Sequence, residues 1–285
     1  MAERRRVVDA HVHFWDPSAL HYPWLESAPA LHRAYLPGDL ESLSARTVDA
    51  VIFVEADCLP SERMDEVQFI ERLAAADERI VGIVAQADML DDGGRAAALE
   101  ALSRRDGVVG VRQNIQGHDP GYSTHPSFVN GVRETGELGL TFDLCITADQ
   151  LSEGTQLVRS CPGTQFVLDH CGKPAIRDDA LDKWAADLAC LAECSNVACK
   201  MSGLLTEARP DQWTGEALRP YMESARREFG ARRLLYGSDW PVVNLAGSVA
   251  VWRGIVDALT APWPDEDRDA FYAGNAMRIY GLEVQ

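Results

Sequence analysis

Eight short β-branched, apolar runs separated by helical patterns constrain this chain more than any other feature. The runs are VVDAHVH (7–13), VDAVIFVEA (48–56), RIVGIVAQA (79–87), GVVGVRQ (107–113), LTFDLCI (140–146), TQFVLDH (164–170), VACKMSG (197–203) and RLLYGSD (233–239). Between them, stretches such as 61–77, 94–106 and 181–194 place apolar residues at i, i+3, i+4. Near-continuous apolar strands, each followed by a helix, imply a parallel sheet buried on both faces. Eight strands at intervals of roughly 25–40 residues in a chain of this size fit a closed (β/α)8 barrel better than an open sheet. No Gly-x-Gly-x-x-Gly follows the first strand, which argues against a nucleotide cofactor. Without a composition break or internal repeat, residues 1–285 read as one α/β TIM barrel.

A barrel of this kind builds its site from the loops at the C-terminal ends of its strands. Those ends carry His11 and His13, Glu55 and Asp57, Asp88, Arg112 and Asn114, Asp143, Asp169 and His170, Lys200 and Ser202, and Ser238 and Asp239. Strand alternation puts Asp9, His11 and His13 on one face, Val51, Phe53 and Glu55 on another strand's face, and Phe166, Leu168 and His170 on a third. It likewise groups Val108, Gly110 and Arg112, then Ala198, Lys200 and Ser202, then Leu235, Gly237 and Asp239. Burying a Lys, an Arg and carboxylates together is costly unless they pair or meet a ligand.

His-x-His places two imidazoles on one strand face, roughly 6–7 Å apart along the backbone. With His170 and Asp239, the pair His11 and His13 would supply three nitrogen donors and one carboxylate, a set suited to one Zn²⁺ with an open position for water. The same residues could instead act on water directly, with Asp239 as base aimed by His170. Arg112 and Lys200 are candidates for substrate contact, and Glu55 could be a ligand, accept from a substrate hydroxyl or pair with either cation. Both cations could equally be ion-paired within the barrel. Trp15 and Trp240 could touch substrate or pack the rim, and the two histidines alone could be core residues.

The ordered motifs HVHFWDP, GVRQNIQG, LTFDL, VLDHCGKP, CKMSGL, YGSDWPV and GNAMRIYGL, spread from Val8 to Leu282, give the chain a family resemblance. It resembles the sugar-lactone hydrolase branch of the amidohydrolase superfamily. That branch includes L-fuconolactone and L-rhamnono-lactone hydrolases and is related to pyrone-dicarboxylate lactonase. Many amidohydrolases bind two metals through a carboxylated Lys on strand four and a His on strand five. Here Arg112 and Asp143 stand near those places, so the resemblance implies at most one divalent ion, zinc, needed weakly or not at all. Lactonases of this branch often follow GVR with His and an acidic turn, whereas this chain has Gln113 and GHDP (117–120). The resemblance implies addition of water to a lactone ring ester. Asp239 would be the general base and His170 its partner, with Arg112 and either Lys200 or a metal at the carbonyl. The alternatives are a zinc-dependent hydrolase or aromatic-acid decarboxylase, and a non-catalytic barrel that binds sugar acids or metal.

A formal net charge of −17 argues against nucleic acid and anionic membrane as partners, while leaving room for a local cationic pocket. The seven cysteines form no C-x-x-C pair, and Arg4–Arg6 lead into no apolar signal segment. A cytoplasmic enzyme acting on a small sugar lactone is the expectation; whether it forms a homo-oligomer stays open. Three long loops, 14–38, 114–127 and 204–215, carry further candidates. The first could lid the pocket or wrap the surface, the second holds His118 and His125, and the third holds Glu207, Asp211 and Trp213.

Overall fold

The computed structural model describes residues 4–43, 48–209 and 213–282. Its strands are β1 (Val8–Val12), β2 (Ala50–Val54), β3 (Ile80–Gln86), β4 (Val108–Arg112), β5 (Thr141–Leu144), β6 (Phe166–Leu168), β7 (Val197–Met201) and β8 (Leu234–Tyr236). Each pairs in parallel with the next. The ring closes between β8 and β1, where Val12 bridges Trp240 and the His13 amide donates to the Trp240 carbonyl at 2.8 Å. Every expected strand is present, trimmed at its ends, and the helices Arg63–Ala76, Arg95–Ser103 and Leu181–Ala192 fall inside the three quoted helical stretches. Among the described residues no helix is long and apolar enough to cross a membrane.

Two apolar clusters divide the core. Small and branched side chains fill the barrel: Val8, Ala10, Ile52, Val54, Val84, Val167, Ala198 and Leu235 pack with Ala273, Ala276, Ile279 and Tyr280 of the C-terminal segment. That segment, over Ala270–Gly274 and Asn275–Ile279, therefore closes the N-terminal end of the barrel from within. Larger residues, including Phe53, Phe142, Phe166, Leu168 and Tyr236, face outward against the helices.

This division fixes which way the expected strand faces point. Phe166 and Leu168 point outward, while Val167 lies inside, so Asp169 rather than His170 continues the inner face of β6. Phe53 is likewise outward and Ile52 and Val54 inward. On β1 the register shifts between Asp9 and Val12, which separates Asp9 from the histidines: its Oδ1 accepts from the amides of His11 and Ser238, 3.2 and 2.8 Å away. Period-two alternation holds only while the chain stays extended; the chain turns left-handed at Asp57 after β2 and at His170 after β6, and β1 shifts register within itself.

Candidate active site

The side chains that alternation misplaces reach the site through unusual backbone. Asp57, His170, Lys173 and Asp239 all have positive φ, at 55°, 52°, 45° and 61°, a region that non-glycine residues occupy rarely and often at functional sites. Asp239 is anchored by its amide, which donates to the His11 carbonyl at 2.9 Å. Two glycines make room. A Cβ on Gly203, itself at φ 65°, would stand 2.6 Å from His170 Nδ1, and one on Gly237 would stand 3.0 Å from the Cβ of His11. These glycines allow β7 and β8 to approach the histidines closely.

The result is a cavity of about 270 Å³ at the C-terminal mouth of the barrel. His13, His170, Asp239 and Arg112 line it, with Trp15 and Trp24 on one side and Asn114, Gln116 and Lys173 among the remaining wall. His11 Nε2 lies 3.7 Å from Asp239 Oδ1, His13 Nε2 3.5 Å and His170 Nε2 3.9 Å. His13 Nδ1 is 2.8 Å from the Val54 carbonyl, an acceptor only, so Nδ1 carries a proton and Nε2 is the nitrogen turned toward Asp239. His170 Nδ1 meets Ser202 Oγ at 2.9 Å. Burial opposes charge on Asp239, yet His170, then His13 and His11, hold its carboxyl well below the ordinary range. Burial brings His170 down to about 4, so at neutral pH a neutral imidazole faces a carboxylate.

From Arg112 in the cavity wall a buried charge network runs down beneath the cavity. Arg112 Nε donates to Glu55 Oε1 at 2.5 Å, its Nη2 to the Glu55 carbonyl at 2.7 Å, and its Nη1 to Asp169 Oδ2 at 3.1 Å. Lys200 Nζ pairs with Asp143 and stands 3.0 Å from Asp169 Oδ1, which is also 3.2 Å from His11 Nδ1. Burial would protonate Asp169, but Lys200, His11 and Arg112 hold it well below the ordinary range. Of the residues expected to contact substrate, Arg112 and Trp15 line the cavity, whereas Glu55 and Lys200 are wholly buried beneath it. The reason is electrostatic: each is drawn to a buried partner of opposite charge.

One ligand atom each from His11, His170 and Asp239 lies within 4.8 Å of the other two. Two imidazole nitrogens and a carboxylate suit zinc, and Asp169, 3.2 Å from His11 Nδ1, would orient that imidazole if it held the ion. His13, expected as a fourth ligand, is not in that set, although its Nε2 is 3.2 Å from His11 Nε2.

The long loops also resolve. Loop 14–38 serves as both wrap and wall. Trp15 Nε1 donates to the Arg33 carbonyl at 2.9 Å and Trp24 Nε1 to the Ala56 carbonyl at 2.8 Å, and both rings border the cavity. Trp240 is buried in the rim against Phe14 and Tyr35. His125 caps the helix Pro126–Glu137, accepting from Ser127 N, and His118 stacks on Tyr122. Trp213 donates to the Ala246 carbonyl at 2.8 Å, and Asp211 lies outside the described residues. Sequence reading passed over Gln116 and Lys173, and reached Trp24 only as one aromatic of loop 14–38. Lys173 had a local signal, since it sits between Gly172 and Pro174 directly after a strand end, and it reaches across to Gln116 Oε1.

Known proteins match along nearly the whole chain. An amidohydrolase family model matches residues 8–282. The L-fucono-1,5-lactonase of Burkholderia multivorans (strain ATCC 17616 / 249) is 32% identical, with 96% of each chain aligned. The L-fucono-1,5-lactonase of Burkholderia ambifaria is 30% identical over 97% of this chain and 96% of the relative. Among solved structures, an amidohydrolase from Burkholderia multivorans with bound zinc superposes at a TM-score of 0.88, with 30% identity over 98% of this chain and all (100%) of the other. The chain belongs to the amidohydrolase family.

Proposed function

We propose that the protein hydrolyses a sugar-acid lactone, with Asp239 as the general base. The observation that carries this reading is the Asp239 carboxyl in the cavity wall, within 4 Å of three imidazoles and sharing that cavity with the Arg112 guanidinium. Water held by Asp239 and His170 adds to the ring carbonyl as Asp239 takes its proton. Arg112, kept charged by Glu55 and Asp169 despite burial, faces the developing oxyanion. The tetrahedral carbon then expels the ring oxygen, which takes the proton from Asp239, and an open-chain hydroxy acid leaves. Lys200 and Glu55 act from beneath, holding Asp169 and Arg112 in place. Zinc bound by His11, His170 and Asp239 would supply Lewis acidity at the carbonyl and lower the pKa of its water.

Trp15 and Trp24 offer apolar faces to the C–H side of a sugar ring, and the amides of Asn114 and Gln116 offer partners for its hydroxyls. Each turnover releases one proton at neutral pH, so a pH-indicator assay over a panel of aldonolactones tests the reading. Acid release from at least one is expected, and none from any would remove it.

A further inference from the structure

Asp57 stands at the cavity wall with one half of its carboxylate committed and the other free. Its amide donates to Glu55 Oε2 at 2.7 Å, and its Oδ1 accepts from Gln86 Nε2 at 3.2 Å. Gln86 is itself held by Arg63 Nε at 3.2 Å. Among the described residues no donor reaches Asp57 Oδ2. Next to it, the Ala56 carbonyl fixes the Trp24 ring, so the aromatic wall and the carboxylate are set by one short piece of chain.

The backbone alone does not call for a charge here. At φ 55° an Asn or Gly is accommodated at least as well as Asp. The carboxylate is also unfavourable where it sits, because burial and the neighbouring Glu55 both resist its ionisation. A group held against that cost inside a site is a candidate for function. An ionised carboxylate only accepts, so its natural partner is a donor on the ligand, and a sugar lactone carries hydroxyls as donors.

We propose that Asp57 reads a hydroxyl of the lactone ring and is a specificity-determining residue of this site. This rests on the hydrolase reading above. A lactone lacking that hydroxyl leaves the Asp57 carboxylate desolvated without a partner.

The test pairs Asp57→Ala with the monodeoxy derivatives of an aldonolactone that the wild type cleaves, comparing kcat/KM throughout. In the wild type, loss of the hydroxyl read by Asp57 costs about 10- to 100-fold, the range of a charge-assisted hydrogen bond. In Asp57→Ala the same deoxygenation costs less than about two-fold, since the partner is gone. If every deoxygenation costs the variant as much as the wild type, the proposal is overturned. Should Asp57→Ala fail to fold, Asp57→Gly, which suits the left-handed backbone and likewise removes the acceptor, gives the same comparison. A wild type that cleaves no lactone overturns the hydrolase reading, and this inference with it, before any variant is measured.

Discussion

The Tyr280 hydroxyl donates to both carboxylate oxygens of Asp143, at 3.0 and 2.9 Å, from the segment that plugs the bottom of the barrel. Asp143 in turn pairs with Lys200, which lies against Asp169 and His11 beneath the cavity. The C-terminal plug is thereby joined to the catalytic end through the barrel axis. Tyr280→Phe keeps the ring and removes only the donor, leaving a buried carboxylate short of a partner. A loss of about 1.5–3 kcal/mol in denaturant unfolding is expected. A change under about 0.5 kcal/mol would mean the bond adds nothing to stability.

Gly203 is the contact against which the His170 ring rests. Alanine there must place a Cβ 2.6 Å from Nδ1 and also hold φ at 65°. Left-handed backbone and overpacking together cost about 2–4 kcal/mol. Gly203→Ala should therefore melt earlier and turn over more slowly as His170 shifts. Wild-type stability with wild-type turnover would show that the ring is not held there.

Glu66, on the helix Arg63–Ala76, has Oε1 bonded to the Ala56 amide at 3.2 Å and no partner for Oε2 among the described residues. Burial, then Glu55, hold its carboxyl well above the ordinary 4.5. The folded state thus keeps a proton that the unfolded chain releases, and the stability tied to that proton is full below 4.5 and declines as pH rises above it. Gln cannot ionise. Glu66→Gln should match the wild type near pH 4 and exceed it by on the order of 1–2 kcal/mol near pH 8. Equal stability at both pH values would place the charge on Glu66 at no cost.

Much of this was legible in the sequence. The barrel followed from eight apolar runs, and the polar residues at their ends do converge on one mouth. Depth was not legible. Lys200 and Glu55 read as substrate contacts because a lone cation or acid at a strand end looks available. Their partners Asp143, Asp169 and Arg112 come from other strands, and only the closed ring shows that the charges pair below the cavity. Side-chain direction was lost where the backbone turns left-handed, at Asp57, His170 and Asp239, and where β1 shifts register. Lys173 and Trp24 sit on loops, where no periodicity reports which way a residue points.

The central claim is that Asp239 takes the proton from the attacking water. Asp239→Asn suits the test, because Asn tolerates the left-handed backbone at φ 61° and keeps the shape of the side chain. With wild type and variant at matched zinc content and melting temperature, acid release from the best aldonolactone is measured for each. The account predicts a fall in kcat of about 100-fold or more. A variant whose kcat stays within about three-fold of wild type would contradict it.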